Sequence, residues 1–381
     1  MPSRGAGPPP ILKKQLKGGK RYTNIAYQHH GLKNIGDENL MKVLHVHNLM
    51  LRHYGNFKFY TGYKLSNGVT RCNHRLLEFS DRDMVRFEAP LGLRPLGRYK
   101  ANRKLIETCV NFKPDLVLIG HCDLISEKSL LEIRSLLPGT KIAHWFLDAL
   151  WNPRNQERLK RRMHCTDAIF ITTGGPHLKQ FCTGKNRVAY MPNPCDPSWE
   201  SHNNAIKTEF DRDLVFCGVG LKSDYRYGLL LKLKREIKDA LRFESFGILG
   251  KAPVWGEAYD AVIAGSKMAL NLNREEGWSL YSSDRISQLL GNGLLTFIWD
   301  KGEMRRLYNN EQVVFFKNED ELSKKIKYFQ AEDEDRQSIA AAGRHYYQQH
   351  FSARQVINFI IETTFEQPYT TDYPWAKEVY Y

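Results

Sequence analysis

Residues 267–300 read KMALNLNREEGWSLYSSDRISQLLGNGLLTFIWD, and this stretch decides the predicted fold. Its apolar run at 268–272 is typical of a buried parallel strand, and 294–298 is a second such run. A polar loop at 273–283 and a helix that ends at Gly291 separate the two strands. Strand, loop, helix and strand in this order form a right-handed crossover unit. Ligands bind beyond the carboxyl ends of the strands in such sheets, so we expect a site at the polar loop.

The same alternation of strands and helices continues on both sides of this unit. The further strands are predicted at 42–47, 114–120, 141–146, 167–172, 188–192, 214–218 and 243–249. A helix is predicted over 71–79, between the first two of these strands. Alternation of this kind over both halves indicates an α/β protein with parallel sheets that are covered on both faces.

A proline-rich polar stretch interrupts the alternation near the middle of the chain and indicates a linker between two domains. The predicted boundaries are a flexible basic N-terminal extension at 1–40, a first domain at 41–195, a linker at 196–210, a second domain at 211–365 and a tail at 366–381.

The composition is typical of a globular intracellular protein. Of the 381 residues 42% are hydrophobic, and no apolar run reaches the length of about 18 residues that predicts a transmembrane helix. Seven cysteines are scattered without a C-x-x-C pair, which favours reduced thiols over a disulfide scaffold or a zinc site. We therefore expect a cytoplasmic protein.

The net charge of +14 calls for an acidic partner. Basic surfaces suit nucleic acid, an anionic membrane or phosphate-bearing ligands. No RNP-type or finger motif is present, so we expect no specific nucleic acid among the partners. Peripheral contact with the anionic inner face of a membrane remains open.

Several segments together resemble the GT-B glycosyltransferases, in particular the group-1 branch that includes the CgeB-like (spore maturation protein-like) family. The resemblance covers most of residues 41–365. The segments that carry it are Trp145–Asp148, Met191–Pro197, Leu214–Gly218 with Arg226, Ser266–Asn271, Asp284–Gly293, and Gly343 with His350 and Arg354.

The resemblance implies an α/β fold of two Rossmann-like doubly wound parallel-sheet domains that face each other across a cleft. It also implies that the second domain binds a nucleotide-sugar donor, that the first domain lies on the acceptor side, and that no essential metal takes part. No separate cofactor is expected, because the nucleotide-sugar is a substrate.

The donor diphosphate requires cations or helix N-termini close to it. Arg226 and Arg285, each near the start of a predicted helix, are the first candidates, and Lys222 is the next; the alternative for each is a surface cation. Gln288 stands where the family usually has a Glu that holds the ribose hydroxyls, and Leu280 stands where many retaining members have a second Glu. The remaining donor-binding candidates are Gly250, Lys251, Arg274 and Ser283.

A catalytic base is expected from the first domain, across the cleft. Asp148 follows the predicted strand at 141–146, where a carboxylate could take the proton of an acceptor hydroxyl if the reaction inverts the anomeric centre. His121 is the second candidate, although a histidine at such a place is more often a hydrogen-bonded structural residue.

Two other patterns do not change this interpretation. The D-x-D motifs at 81–83 and 211–213 match the metal site of another transferase fold, but 211–213 precedes its strand. Residues 218–220 form only a fragment of a dinucleotide fingerprint. The sequence thus predicts a glycosyltransferase that moves a sugar from a nucleotide-sugar to a hydroxyl of a glycan or of a lipid- or protein-linked acceptor. The alternatives are a nucleotide-sugar epimerase and a degenerate protein that binds glycans or nucleotides without turnover.

Overall fold

The computed structural model describes residues 40–56, 61–237 and 240–381, and residues 40–381 form one compact unit. The predicted extension at 1–40 lies, apart from Leu40, outside the described residues. Two sheets organise the described part of the chain, and both are built mainly from parallel strands.

The first sheet has seven strands in the order β12-β6-β5-β4-β3-β1-β2. Its strands are β1 (Lys42–His47), β2 (Arg75–Ser80), β3 (Leu116–Ile119), β4 (Lys141–Phe146), β5 (Ala168–Ile171), β6 (Arg187–Tyr190) and β12 (Val379–Tyr380). Only β12 at the edge runs antiparallel to its neighbour. Strands β3 to β6 are almost entirely buried because helices cover both faces, which explains why β3 and β5 are apolar throughout and why β4 and β6 have few polar residues.

The second sheet has five parallel strands in the order β11-β10-β9-β7-β8. They are β7 (Arg212–Cys217), β8 (Phe243–Phe246), β9 (Ser266–Asn271), β10 (Leu295–Trp299) and β11 (Val314–Phe316). The crossover unit predicted from residues 267–300 is confirmed, because β9 and β10 pair in parallel and a helix connects them. The two-sheet α/β prediction is therefore correct.

The helices alternate with these strands along the chain. They are α1 (Thr61–Arg71), α2 (Asp81–Phe87), α3 (Arg94–Phe112), α4 (Glu127–Leu136), α5 (Pro153–Arg162), α6 (Tyr225–Glu236), α7 (Gly256–Ala264), α8 (Arg285–Gly291), α9 (Glu319–Ala331), α10 (Asp333–His350) and α11 (Ala353–Thr364).

The helix predicted over 71–79 is wrong. Helix α1 ends at Arg71, and residues Arg75–Ser80 form β2, which pairs with β1 along its whole length. Strand β2 lies at the edge of the sheet and leaves several side chains exposed, so its sequence lacks the continuous apolar run that identifies the central strands.

The C-terminal part of the chain returns to the first sheet. Gly68 in α1 leaves no room for a side chain, since a Cβ there would lie 2.4 Å from the carbonyl oxygen of Ala353 at the start of α11. Strand β12 then pairs with β6. Residues 353–364 therefore pack on the first sheet, whereas the domain boundaries drawn from the sequence stay a prediction.

Candidate functional site

A cavity of about 360 Å³ lies at the carboxyl edge of the second sheet. Cys217 ends β7 and residues 218–219 follow it, Phe246 ends β8, and the loop at 253–255 leads into α7. The polar loop of the crossover unit and the start of α8 close another side, and Met50 contributes from the first half. The cavity therefore lies where the sequence predicts a ligand, and its volume is within the usual range for small-molecule sites.

The lining of the cavity combines two kinds of chemistry. Its apolar and aromatic part is formed by Phe246, Pro253, Val254, Trp255 and Tyr259. Its polar and charged side chains come from the start of α8 and the two residues before it, and this group, which we call the polar end, is Ser283, Asp284, Arg285 and Gln288. A ligand with a flat apolar part and an anionic part is chemically complementary to this lining.

Arg285, at the start of α8, carries the positive charge at the polar end. Its Nη1 donates to the Cys217 carbonyl at 2.8 Å and its Nη2 to the Leu272 carbonyl at 2.6 Å. Among the described residues, no carboxylate forms an ion pair with it, and its buried Nε has no hydrogen-bond partner. Burial lowers the pKa of the guanidinium, so an anion bound beside it would stabilise its charged form.

Ser283 and Gln288, two of the predicted donor-binding residues, line the same end. The buried Ser283 hydroxyl has no hydrogen-bond partner within the described ranges. Gln288 Nε2 donates to Asp284 Oδ2 at 3.0 Å. A glutamate in place of Gln288 would put two carboxylates in contact, which explains physically how an amide fits here. Asp284, which is not among the site residues predicted from the sequence, supplies a carboxylate one helical turn earlier.

Arg226 and Arg274 approach the cavity wall without lining it. Arg226 is buried and forms an ion pair with Asp224, the N-cap of α6, and its Nη2 also donates to the Val219 carbonyl at 2.9 Å. Arg274 Nη2 reaches the same carbonyl at 3.4 Å. Val219 itself lines the cavity. Two guanidinium groups thus converge on the loop after β7, but the charge of Arg226 is already neutralised by its neighbour.

The structure places the other three donor-binding candidates outside the cavity. Lys222 is exposed in the loop before α6. Lys251 is also exposed, and its Nζ lies 2.8 Å from Glu244 Oε1. Gly250 has a φ of 82° and shapes the turn after β8.

Asp148 and His121 follow β4 and β3, at the carboxyl edge of the first sheet. Asp148 Oδ2 accepts a hydrogen bond from Arg158 Nη1 at 2.6 Å, and Arg158 also pairs with Asp123. Burial lowers the pKa of His121, although Asp148 and Asp123 act in the opposite direction. The two candidate residues therefore share one small network of charges.

Residues 226–362 match the model of a family described as glycosyl transferase-like. HepE from Anabaena, solved in complex with UDP-glucose, is 11% identical with a TM-score of 0.56, covering 86% of this chain and 100% of its own. A glycosyltransferase from Rickettsia africae is also 11% identical with a TM-score of 0.56, and the match covers 86% of this chain and 98% of that protein. Sucrose-phosphate synthase from Thermosynechococcus elongatus is 11% identical with a TM-score of 0.55, and the match again covers 86% of this chain and 98% of that protein. No curated protein matches the chain.

The fold is that of the GT-B glycosyltransferases. In this GT-B fold the matched family region contains α6 to α11, and with them Arg226, Ser283, Arg285 and Gln288. Sequence identities of 11% to these structures assign no substrate, so the residues of the site themselves indicate its chemistry.

An aromatic pair that the sequence analysis does not predict joins the two halves of the GT-B fold. The ring of Tyr281 packs edge-on against Trp151 of the first half, with 4.7 Å between the ring centroids. Burial raises the pKa of Tyr281, Arg285 opposes this shift and Asp148 reinforces it. Tyr281 is therefore close to charges from both halves. Its place in the polar loop at 273–283 is the sequence signal that could have identified it.

A second polar cluster lies inside the first half, where His45, His47 and Glu78 stand close enough together to share a metal ion. The Trp145 indole donates to His45 Nε2 at 3.0 Å, so this nitrogen accepts and Nδ1 carries the proton. Nδ1 then donates to Ser66, whose hydroxyl donates to Glu78. His45 has no lone pair left for a metal, and the cluster is a hydrogen-bonded chain.

No helix within the described ranges is both long and apolar enough to cross a membrane.

Proposed function

We propose that this protein is a glycosyltransferase that moves a sugar from a nucleotide-sugar to a hydroxyl of a glycan or of a lipid- or protein-linked acceptor. The observation that carries the proposal is Arg285, a cation without a carboxylate partner among the described residues, at the polar end of a cavity in a GT-B fold. Such a cation stabilises the negative charge that develops on a departing diphosphate.

Both kinds of chemistry in the cavity lining support a nucleotide donor. The aromatic part, with Trp255 57% exposed, fits a planar base. Asp284 and Gln288 offer a carboxylate and an amide to the ribose hydroxyls, and the diphosphate then lies against Arg285 and the Ser283 hydroxyl. Arg274 and Lys222 are proposed to approach the diphosphate only when the donor is bound.

The first sheet supplies the candidate residues on the acceptor side. We assign the role of general base to Asp148, because its carboxylate is at a strand end across the cleft and Arg158 holds its orientation. His121 is the alternative base. Trp151 lies three residues after Asp148, and its ring contacts Tyr281, four residues before Arg285, which supports a reaction centre between Asp148 and Arg285.

A protein that binds nucleotide-sugars without turnover is the second candidate. It is favoured by Leu280, which stands where many retaining members have a glutamate and which is buried among apolar side chains. Membership of the CgeB-like branch, a cytoplasmic location and independence from metals are part of the first proposal and need separate tests.

Release of nucleoside diphosphate distinguishes the two candidates. The protein is incubated with each common nucleotide-sugar, and the product is measured with and without Mg²⁺. The proposal expects slow hydrolysis of one donor, reduced at least about 100-fold in Asp148→Asn, as for loss of a catalytic base. Binding of a donor without any product would support the binding protein and overturn the transferase.

A further inference from the structure

Five large apolar side chains are exposed on one short segment of the first half. They belong to residues 87–99, and their exposed fractions lie between 50% and 99%; the residues are Phe87, Leu91, Leu93, Leu96 and Tyr99. Leu91 is the most exposed and also has a φ of 49°, in the left-handed region that leucine rarely adopts. Exposed apolar clusters of this kind mark interaction surfaces.

Cations surround these apolar side chains. Arg86, Arg94, Arg98, Lys100 and Arg103 are all exposed between residues 86 and 103, where the chain carries one acid, Glu88. Arg86 forms an ion pair with Asp83 and Arg103 with Glu132. Neither Arg94 nor Lys100 has a carboxylate partner among the described residues. We call residues 86–103 with these ten side chains the basic apolar surface.

The basic apolar surface lies at the carboxyl edge of the first sheet. It covers the end of α2 and the start of α3, directly after β2, and a crossover helix begins at the end where its preceding strand stops. Asn102 Nδ2 and Arg98 Nε both donate to the carbonyl of Leu124, in the loop that contains Asp123. The surface is therefore joined through one loop to the network of Asp123, Arg158 and Asp148.

We propose that the basic apolar surface docks on a bilayer that contains anionic lipids. Phe87 and Leu91 enter the interface between headgroups and acyl chains, and the surrounding cations bind lipid phosphates. Charge complementarity selects this partner, because residues 86–103 carry five exposed cations against one acid, and no carboxylate among the described residues neutralises Arg94 or Lys100. The consequence for catalysis, which rests on the proposed function, is that the cleft faces acceptors held at the membrane surface.

Co-sedimentation of the full chain with vesicles tests the docking directly. Vesicles of phosphatidylcholine with 30% phosphatidylglycerol (a chosen ratio, about one charge in three lipids) are compared with pure phosphatidylcholine. Binding is expected only to the anionic vesicles, and it should weaken as the salt concentration rises. Phe87→Ser with Leu91→Ser should reduce binding about tenfold or more, and Arg94→Gln with Lys100→Gln about tenfold.

Ile206→Ser is the matched control, because Ile206 is 70% exposed and belongs to a different part of the chain. It should bind vesicles like the unmodified protein. Equal binding to neutral and anionic vesicles, or equal loss in the control variant, would overturn the proposal. Self-association that the Phe87→Ser and Leu91→Ser variant abolishes, without any vesicle binding, would show that a second copy covers the surface and would also overturn it.

Hydrolysis of the nucleotide-sugar separates this inference from the proposed function. The docking variants change no residue of the cavity, so they should keep the hydrolysis rate of the unmodified protein. Vesicle binding without hydrolysis would leave the docking valid and overturn the transferase.

Discussion

Replacing Lys64 by methionine removes the cation of an ion pair that is fully buried between the two halves. Lys64 Nζ lies 2.6 Å from Glu200 Oε1, and it also donates to the Pro194 carbonyl and to the hydroxyl of Ser287 in α8. Neither charged side chain is exposed. Removing one partner of a buried pair costs about 3–5 kcal/mol because the other charge is left uncompensated. We expect a loss of that size at pH 8.

The loss should become smaller as the pH falls, for a reason that involves Glu200. Burial raises the pKa of Glu200 to about 7, although Lys64 opposes this shift. The folded protein therefore binds more protons at this site than the unfolded chain, so this group lowers the free energy of unfolding as the pH rises from about 4.5 to about 7. In Lys64→Met the protonated form of Glu200 is favoured further, and at pH 5 no uncompensated charge remains buried.

Urea unfolding at pH 8 and pH 5 measures both effects. The double variant Lys64→Met with Glu200→Gln should recover at least half of the stability that the single variant loses at pH 8. Arg305→Met is the control, because its ion pair with Asp300 is half-exposed and is worth about 1 kcal/mol or less. A cost below about 1 kcal/mol for Lys64→Met at pH 8 would refute the reasoning, since a buried pair cannot be removed so cheaply.

Three further predictions concern packing and the cavity. Gly68→Ala should lower the free energy of unfolding by about 1–3 kcal/mol, because the new Cβ would collide with the backbone of Ala353. Gly228→Ala, at a helix position with open space around it, should raise this free energy by up to ~1 kcal/mol. Urea unfolding of the two variants measures both changes. Gln288→Glu should weaken nucleotide binding about tenfold, because the new carboxylate is repelled by Asp284. Adding Asp284→Asn should restore binding, and calorimetry measures both affinities. No recovery in the double variant would contradict the proposal that these two side chains bind the ribose together. Trp145→Phe should lower the free energy of unfolding by about 1–3 kcal/mol, because the buried His45 Nε2 loses its hydrogen-bond donor. An unchanged free energy of unfolding would contradict the hydrogen-bonded chain.

The central strands could be predicted from the sequence because burial on both faces forces a continuous apolar run. The strand predicted at 167–172 contains β5 (Ala168–Ile171), whose residues are all apolar and buried. The helix predicted over 71–79 is wrong because β2, at the edge of the sheet, exposes three of its first four side chains and is held by pairing with the distant β1. The return of the C-terminal residues to the first sheet depends on contacts such as that of Gly68 with Ala353, which no local pattern encodes.

The candidate site was predicted in part for related physical reasons. A cation near the start of a helix at a strand end is a local pattern, and Arg285 follows it. Arg226 has the same pattern, but its charge is neutralised by Asp224, which only the side-chain geometry reveals. Tyr281 lies in the polar loop that the sequence predicts, but its pairing with Trp151 joins residues 130 positions apart, and no local pattern encodes such a contact.

A thermal-shift panel with UDP, GDP, CDP, ADP and their sugars, without and with Mg²⁺, tests the central claim most directly. The account predicts that one nucleotide stabilises the protein, by about 2.7 kcal/mol at a hundredfold excess over its Kd. Arg285→Gln should abolish the shift while its urea unfolding shows a folded protein, and the control Arg305→Gln should keep it. Absence of a shift with every nucleotide under both conditions, or a full shift in Arg285→Gln, would contradict the claim that this cavity binds a nucleotide-sugar.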